Sequence, residues 1–353
     1  MQKDPFRLHR LALAPFLDSE NSIDFPSLLA AAENEGINDF LQFLIFNGLA
    51  PLWHDALIKT GQINTINPEV AEKLRQVRLV SEANYLNQKN SLEKVHNSLS
   101  SADIEYAVLK GAQVRELVYD NPGLRPCADI DILITRKNRD LAIRTLIDTG
   151  LSFHPNEEVF SHECMFVDKT ATIDLHWNIM RTGRTRIDLT ESLLNESTTI
   201  NGIKYLNNEA SLFVLLVHPA FNKYICSKDA IIIRLVDLYR YLSSFQFNWN
   251  IVSDLIRKGG VNTAAWSTLY WLSNFTTPPM KDIFCTIKKP YYYKRKYIEY
   301  WVDNDLPTKL YDNRLTMRLG LSVFLHDNLF DSLRAIWNLF IRERVIPQSF
   351  KSL

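Results

Sequence analysis

The stretch LRPCADIDILIT (124–135) places two aspartates, Asp129 and Asp131, in a run that otherwise has the apolar character of a buried strand. Side chains two residues apart in a strand share a face, with Cα atoms roughly 6.5–7 Å apart. Two carboxylates on one face repel each other and lose hydration, so they need a countercharge to stay ionised together. Hard cations such as Mg²⁺ bind at oxygen-rich, doubly anionic sites of this kind. The stretch therefore predicts a strand that supplies two ligands of a metal site.

A third carboxylate, Asp174, has the same apolar bracketing in TIDLHW (172–177), between Ile173 and Leu175. If the two strands are neighbours, three carboxylates surround one point. Two metal ions about 3.5–4 Å apart can then clamp the attacking and leaving oxygens of a phosphoryl displacement. The spacing thus predicts Asp174 as a further metal ligand and a catalytic residue, together with the pair in the first strand.

Upstream, AVLKGAQ (107–113) predicts a strand that opens directly into a helix at Lys110 and Gly111. Gly111 lets a ligand approach the backbone, and the helix N-terminus supplies amides and partial positive charge for phosphate oxygens. Lys110 adds a full positive charge, and Arg125 is close enough in sequence to reach the same phosphates. These residues are predicted to bind nucleotide phosphate. His176 has two interpretations, a site residue or a core histidine bonded to the backbone.

The order of predicted elements gives an α+β or α/β core between two helical regions. We divide the chain into an N-terminal helical region, a core and a C-terminal helical region, at 1–102, 103–208 and 209–353. The pattern further predicts a helix over 68–101, strands over 104–109 and 128–135, a helix over 139–150, a hairpin over 162–177 and packed helices over 313–344.

Four motifs in this order resemble the DNA polymerase β-type nucleotidyltransferases, and most closely their uncharacterised bacterial nucleotidyltransferase subfamily. They are Leu109–Lys110–Gly111, a spacer from Tyr119 to Arg125, DIDILI (129–134) and DLHW (174–177), followed by His218 and Asp237. Two departures stand out. Gly111 is followed by Ala112 where the superfamily has serine or glycine, so a hydroxyl contact to phosphate is missing, and the spacer is longer than usual.

The resemblance implies a small mixed sheet of the polymerase β type that transfers a nucleoside monophosphate from an NTP to a hydroxyl, releasing pyrophosphate. By the same resemblance, Asp129 and Asp131 bind Mg²⁺, with Mn²⁺ as the alternative, and Asp174 deprotonates or orients the acceptor. Gly111 marks the phosphate-binding turn, and ATP is the expected nucleotide. The acceptor stays open between a protein, a small molecule and RNA. Alternative functions are a non-catalytic nucleotide- or partner-binding protein that keeps the fold, and a toxin-like enzyme that modifies tRNA.

Two other stretches have competing interpretations. DLHWN (174–178) also suits the catalytic loop of an aminoglycoside-kinase-like enzyme, but such loops place a histidine two residues before the aspartate, where this chain has Thr172. KKPYYYKRKYIEYW (288–301) combines basic and aromatic residues that can hold single-stranded nucleic acid or dock on a membrane or partner. We favour an amphipathic surface helix whose tyrosines line the core.

Composition narrows the class of protein further. Lysine plus arginine equals aspartate plus glutamate at 40 each, so the total charge gives no bias toward nucleic acid or membranes. Cys127, Cys164, Cys226 and Cys285 are far apart and are expected to be reduced thiols of a cytoplasmic protein. His162 and Cys164 share a strand face without further ligands, which favours packing over a zinc site. No secretory signal or membrane-spanning stretch is predicted.

Overall fold

The computed structural model describes residues 4–17, 23–155, 162–169, 171–181, 183–195, 197–279 and 283–337. Within these ranges, seven strands form one mixed sheet in the order β3-β4-β5-β2-β1-β7-β6. The strands are β1 Tyr106–Leu109, β2 Ile130–Ile134, β3 Ser152–His154, β4 Glu163–Asp168, β5 Ala171–His176, β6 Ser197–Ile200 and β7 Ile203–Leu206. β2 and β5 are parallel, as are β1 and β7, and the other neighbours are antiparallel. The predicted α+β class is confirmed.

Helices precede, interrupt and follow the strands. The first five are α1 Arg7–Leu17, α2 Phe25–Glu33, α3 Ile37–Phe46, α4 Ala50–Lys59 and α5 Pro68–Ser101. Those within the strand region are α6 Lys110–Val118, α7 Arg139–Asp148 and α8 Thr190–Leu194. The remaining ones are α9 Asn208–Asn222, α10 Ile233–Ser244, α11 Trp249–Gly259, α12 Asn262–Ser273, α13 Ile283–Thr286, α14 Tyr292–Asp303, α15 Leu306–Lys309, α16 Arg314–Thr316 and α17 Leu329–Trp337.

The helix predicted over 68–101 is confirmed at both ends. The Asn67 side chain accepts a hydrogen bond from the amide of Glu69, and Pro68 occupies the first turn, where its missing amide costs nothing. α5 packs on α7 and β5, and the Ser91 hydroxyl donates to Asp168 at the tip of the β4–β5 hairpin. This long helix therefore covers one side of the sheet.

The central strands are buried on both faces because helices cover both sides of the sheet. Every residue of β2 is buried, and its isoleucines and leucine suit a strand with no solvent-facing side. Ile130 and Ile132 belong to a smaller core under α5 and α7, whereas Leu133 belongs to a larger core shared with the N- and C-terminal helices. Asp131 therefore points toward the larger core, on the same side as Leu133.

The three-region division of the chain stays a prediction. The larger core contains residues from all three regions, for example Trp53, Leu109 and Leu238. α6 of the strand region packs against α9 and α10 of the C-terminal region. The C-terminal helices consequently lie next to the end of β1, where the predicted phosphate turn is located.

The interpretation favoured for residues 288–301, an amphipathic helix whose tyrosines line the core, is confirmed for Tyr297, which packs against the larger core, and is wrong for the exposed tyrosines. The stretch does form a helix, α14, whose buried face consists of Ile298, Trp301 and Val302. Tyr291 and Tyr293 are 90% and 86% exposed, so they point to solvent and not to the core. Of the helices predicted over 313–344, α16 continues into a π-helical turn at Met317–Leu321 and a 3-10 turn at Ser322–Leu325, and α17 follows after a bend at 326–328. Residues 338–344 lie outside the described ranges. Among the described helices, none combines the length and apolar character needed to cross a bilayer.

Candidate active site

The carboxylates of Asp131 and Asp174 come from parallel neighbouring strands. The register of β2 on β5 places Asp131 directly beside Asp174 and, two residues on, Leu133 beside His176. Neighbouring strands lie about 4.8 Å apart, so side chains at paired positions on one face converge. Asp131, Asp174 and His176 each offer a ligand atom, and these three atoms lie within 4.8 Å of one another. A single cation can contact all three.

Asp129 lies just before β2, and its carboxylate interacts electrostatically with those of Asp131 and Asp174. It is partly buried, and burial followed by the charge of Asp131 raises the pKa of its carboxyl. Burial, and then the charge of Asp129, raises the pKa of Asp174 to about 6. Three carboxylates thus interact at one end of the sheet, and a bound cation would relieve their repulsion. The closest ligand group, however, contains His176 and not Asp129.

Lys110 supplies the positive charge that the carboxylates face in this structure. Its Nζ donates to Oδ1 of Asp131 at 2.5 Å and lies 3.3 Å from Nε2 of His176. Its backbone has a φ of 57°, in the left-handed region that costs a non-glycine residue roughly 1–2 kcal/mol. Burial opposes ionisation of Asp131, but the charge of Lys110 and the contact with His176 hold the pKa of Asp131 well below its usual value.

The ring of His176 contacts two carboxylates, and its role as a site residue stays a prediction. Its Nε2 lies 2.7 Å from Oδ1 of Asp131, and its Nδ1 lies 3.0 Å from Oε2 of Glu163. Burial and the charge of Lys110 oppose the imidazolium form, but the two carboxylates raise the pKa of His176. The ring therefore connects the carboxylates of β2 and β5 to a residue of β4.

Gly111 is required for a reason that the sequence did not reveal. A Cβ at this position would lie 2.3 Å from Nη1 of Arg125, so the guanidinium occupies the space over the glycine. The Arg125 Nε and Nη2 donate to Asp237 at 3.3 and 2.6 Å, and its Nη1 donates to the carbonyl of Pro126. The hydroxyl of Tyr119 donates to the same carboxylate at 2.7 Å. A structural role for Arg125 follows, and its binding of phosphate stays a prediction.

Ala112, the residue after Gly111 in the predicted phosphate turn, is buried. Ala112 lies in the smaller core under the sheet, where its methyl group has apolar neighbours. A serine hydroxyl at this position would need a partner in that apolar environment. Packing in the smaller core therefore accounts for alanine at position 112, where the wider superfamily has serine or glycine.

Two cations near the carboxylates escaped the sequence reasoning. Lys223 follows α9, and Arg234 lies in α10. Burial lowers the pKa of both side chains, and the charges of Lys110 and Arg234 lower that of Lys223 further, while Asp129 opposes the shift. His218 is buried near the same cations, and burial holds its pKa well below the usual value. Lys223 and Arg234 belong to no motif, since only the packing of α9 and α10 on α6 brings them to the site, whereas His218 was among the residues that carry the family resemblance.

Glu163 is a second residue that the sequence reasoning missed. It pairs with His176 across the β4–β5 hairpin, and the adjacent His176 ring overcomes the effect of burial and lowers the pKa of Glu163 to about 2. The register of the hairpin is the signal that could have found it. Asp168 pairs with Ala171, and counting back from that pair places Glu163 opposite His176. Cys164, in contrast, packs in the smaller core, as predicted.

A mixed sheet that presents paired carboxylates on two parallel strands, with a strand–turn–helix unit beside them, defines an α+β protein of the nucleotidyltransferase type. Comparison with family models agrees with this class. The chain belongs to the uncharacterised nucleotidyltransferase family, whose model matches residues 33–276. A comparison with curated proteins finds none that matches this chain. The family match begins in the N-terminal helices and extends to the C-terminal helices, so it includes every residue of the carboxylate group.

Proposed function

We propose that the protein is a metal-dependent nucleotidyltransferase that moves a nucleoside monophosphate from an NTP to an acceptor hydroxyl and releases pyrophosphate. The single observation that supports this most is the pairing of Asp131 with Asp174 on adjacent parallel strands, with Asp129 at the same end. ATP is the proposed donor. The acceptor is open between a protein, a small molecule and RNA.

The donor set fits a divalent cation. Carboxylate oxygens are the ligands that Mg²⁺ prefers, and they suit Mn²⁺ as well. Asp129, Asp131 and Asp174 would hold the ion, and the repulsion that raises the pKa of Asp129 and Asp174 would fall on its binding. When bound, such an ion neutralises the charge that develops on the transferred phosphoryl group.

Asp174 is the proposed general base. Its carboxyl is partly exposed, so an acceptor hydroxyl can approach it and give up a proton to it. Lys110 is proposed to exchange its contact with Asp131 for one with a phosphate oxygen. Its ammonium is already within 2.5 Å of the carboxylate that would bind the cation, so a short side-chain movement suffices.

The triphosphate is proposed to lie between the carboxylates and the C-terminal helices. Lys223 and Arg234 place further positive charge on that side, and Nε of Arg234 is buried without a hydrogen-bond partner among the described residues. In this arrangement the pyrophosphate leaves toward Lys110 and the turn at Gly111. Positioning and charge neutralisation supply most of the acceleration of a phosphoryl transfer.

Metal binding is expected to strengthen as the pH rises from 5 to 7. Asp174 is mainly protonated below its pKa of about 6, and a protonated carboxyl does not bind a cation. Each pH unit below 6 is therefore expected to weaken Mn²⁺ or Mg²⁺ binding by roughly tenfold for this one proton. Without metal the sign is opposite, because a raised carboxyl pKa favours folding at low pH, and stability falls as the pH rises from about 4 to about 6.

Calorimetric titration of Mn²⁺ at a series of pH values measures the first effect, and thermal unfolding in a chelator measures the second. The matched control is Asp174→Asn, in which both pH dependences are expected to lose the contribution of this carboxyl. A wild-type metal affinity that stays constant between pH 5 and 7 would contradict the assignment of Asp174 as a ligand.

Transfer itself is expected to depend on one NTP and one class of acceptor. Incubation with each α-labelled NTP, Mg²⁺ and a host lysate, followed by separation of RNA, protein and small molecules, identifies both. Label in the RNA fraction would indicate the toxin-like, tRNA-modifying alternative. If no fraction is labelled and no pyrophosphate forms, but titration still shows Mg²⁺-dependent ATP binding, the non-catalytic nucleotide-binding alternative replaces the enzyme.

A further inference from the structure

A second group of potential ligands lies on the other side of the His176 ring. His162, Glu163 and His176 each offer a ligand atom, and these three atoms lie within 4.8 Å of one another. Nε2 of His162 is 3.3 Å from Oε2 of Glu163, and Nδ1 of His176 is 3.0 Å from that same oxygen. Both rings are buried, with exposed fractions of 6% and 1%. Two imidazoles thus converge on one carboxylate oxygen in a place largely closed to solvent.

The contacts of His176 determine where its hydrogen lies. Nε2 is 2.7 Å from the carboxylate of Asp131, and Lys110 donates to the same carboxylate oxygen. A carboxylate only accepts, so Nε2 carries the hydrogen and donates it to Asp131. In a neutral ring Nδ1 then has a bare lone pair beside the oxygen of Glu163. Two acceptors 3.0 Å apart require a proton or a cation between them.

The geometry at Nδ1 favours a cation. Nδ1 lies 3.0 Å from Oε2 of Glu163 and is buried, yet it has no hydrogen-bond partner among the described residues, which indicates that the pair is not aligned for a hydrogen bond. Two ligands of one metal ion point at the ion and not at each other, so such misalignment is expected between them. With metal–ligand distances of about 2.0–2.1 Å, neighbouring ligands of a tetrahedral ion lie roughly 3.3 Å apart. The two measured separations, 3.0 and 3.3 Å, agree with that spacing.

We propose that His162, Glu163 and His176 form a binding site for a borderline transition-metal ion, with Zn²⁺ as the best match. Two imidazoles and one carboxylate are a common zinc donor set, with a fourth position left to another ligand. In this site His176 binds the metal through Nδ1 and donates its Nε2–H to Asp131. A metal-bound histidine that donates its second nitrogen to a carboxylate is a recurrent arrangement that fixes the orientation of both groups. The zinc ion would thus orient Asp131 through the His176 ring, by fixing the direction of the Nε2–H group that donates to the carboxylate.

This site differs from the carboxylate site in its ligands and in its preferred ion. The carboxylate site is rich in oxygen and suits Mg²⁺, whereas the second group has two nitrogens and one oxygen. The two sites meet at the His176 ring, whose Nδ1 faces the zinc ligands and whose Nε2–H donates to Asp131 of the carboxylate site. Zinc binding here does not require that the protein transfer nucleotides, so it is tested without any nucleotide.

The experiment titrates the full-length, chelator-treated protein with Zn²⁺ against a chromophoric competitor, in the absence of NTP. We expect one zinc ion bound in this site per chain, and a loss of affinity of roughly 100-fold or more in His162→Gln and in Glu163→Gln. His154→Gln is the matched control, since His154 is an exposed histidine of the neighbouring β3 and is expected to leave zinc affinity unchanged. Cobalt(II) substitution adds a second readout, since visible d–d bands are expected in the wild type and are expected to disappear in His162→Gln.

Two results would overturn the proposal. The first is equal zinc affinity in the wild type and in both ligand variants, each shown to be folded by circular dichroism. The second is a loss of zinc binding in Asp174→Asn but not in His162→Gln, which would locate the ion among the carboxylates. Loss of nucleotidyl transfer does not enter either result, so the failure of this proposal is distinguishable from failure of the proposed function.

Discussion

Asp174→Asn and Asp131→Asn are each expected to reduce nucleotidyl transfer by at least about a thousandfold and to change stability in opposite directions. A thousandfold loss corresponds to about 4 kcal/mol of transition-state stabilisation. That is within the several kcal/mol that a catalytic cation supplies to a phosphoryl transfer. Both substitutions remove a charged oxygen ligand and keep the shape of the side chain. Transfer is measured with the α-labelled NTP and acceptor fraction that the wild type uses.

The stability effects distinguish a site residue from a residue that holds the fold together. Without metal, the charge of Asp174 is opposed by burial and by three other carboxylates, those of Asp129, Asp131 and Glu163, so asparagine is expected to raise the melting temperature at pH 7. Asp131 has the ammonium of Lys110 at 2.5 Å and His176 at 2.7 Å, so asparagine leaves a buried cation without its anion. That variant is expected to melt lower.

Asp120→Asn is the matched control for both variants. The carboxylate of Asp120 is 93% exposed and pairs only weakly with Lys59 on the surface, so transfer and stability are expected to stay within error of the wild type. Normal transfer by Asp174→Asn would exclude the proposed metal site. A large drop in its metal-free melting temperature would instead show that Asp174 stabilises the fold.

Gly111→Ala is expected to destabilise the protein by about 3 kcal/mol. Gly111 lies in the first turn of α6 without a left-handed φ, so helix propensity alone predicts a gain of roughly 0.5–1 kcal/mol from alanine. The contact with Arg125 predicts a loss of stability instead. The new Cβ would lie 2.3 Å from Nη1 of Arg125, and the guanidinium is held by two hydrogen bonds to Asp237. Displacing one member of a buried ion pair typically costs 3–5 kcal/mol, and relaxation of the turn recovers part of it.

A double-mutant cycle isolates this contact. In the background Arg125→Met with Asp237→Asn, the bulky guanidinium and its buried partner charge are both absent, so Gly111→Ala is expected to be neutral or stabilising. Urea denaturation of the four proteins gives the free energies of unfolding. An equal cost of alanine in both backgrounds would contradict the assignment of Gly111 to the packing of Arg125. It would favour the earlier prediction that this glycine serves a ligand.

Much of the architecture could be predicted because it depends on local patterns. The capped helix 68–101 starts and ends where the sequence places it, and the hairpin over 162–177 forms β4 and β5. Strand β1 begins at Tyr106, two residues later than predicted, and α7 ends at Asp148, two residues earlier. Gly150, with a φ of 86°, follows that helix, and its position explains why the pattern gave the end only approximately.

The chemistry of the site could be predicted only in part. Alternation along a strand determines the face on which a side chain lies. The sequence therefore indicated that Asp131 and Asp174 lie on the faces opposite to their apolar neighbours in the strand. Whether those strands are neighbours is a question of sheet order, which no local pattern contains. The structure places β2 beside β5 in parallel and pairs the two aspartates.

The sequence by itself determined that Asp129 and Asp131 share one face of a strand, because a period of two is a property of the extended backbone. The class of protein was indicated by the resemblance of its motifs to a known family. Only the tertiary structure decided which groups accompany the carboxylates. Arg125 donates hydrogen bonds to Asp237, 112 residues away in the sequence. Lys223, just after α9, and Arg234, in α10, approach the carboxylates from the C-terminal region. Which residues become partners depends on how the helices pack and on the free-energy cost of burying an unpaired charge. Both depend on distances between residues in the folded protein, which the sequence does not give.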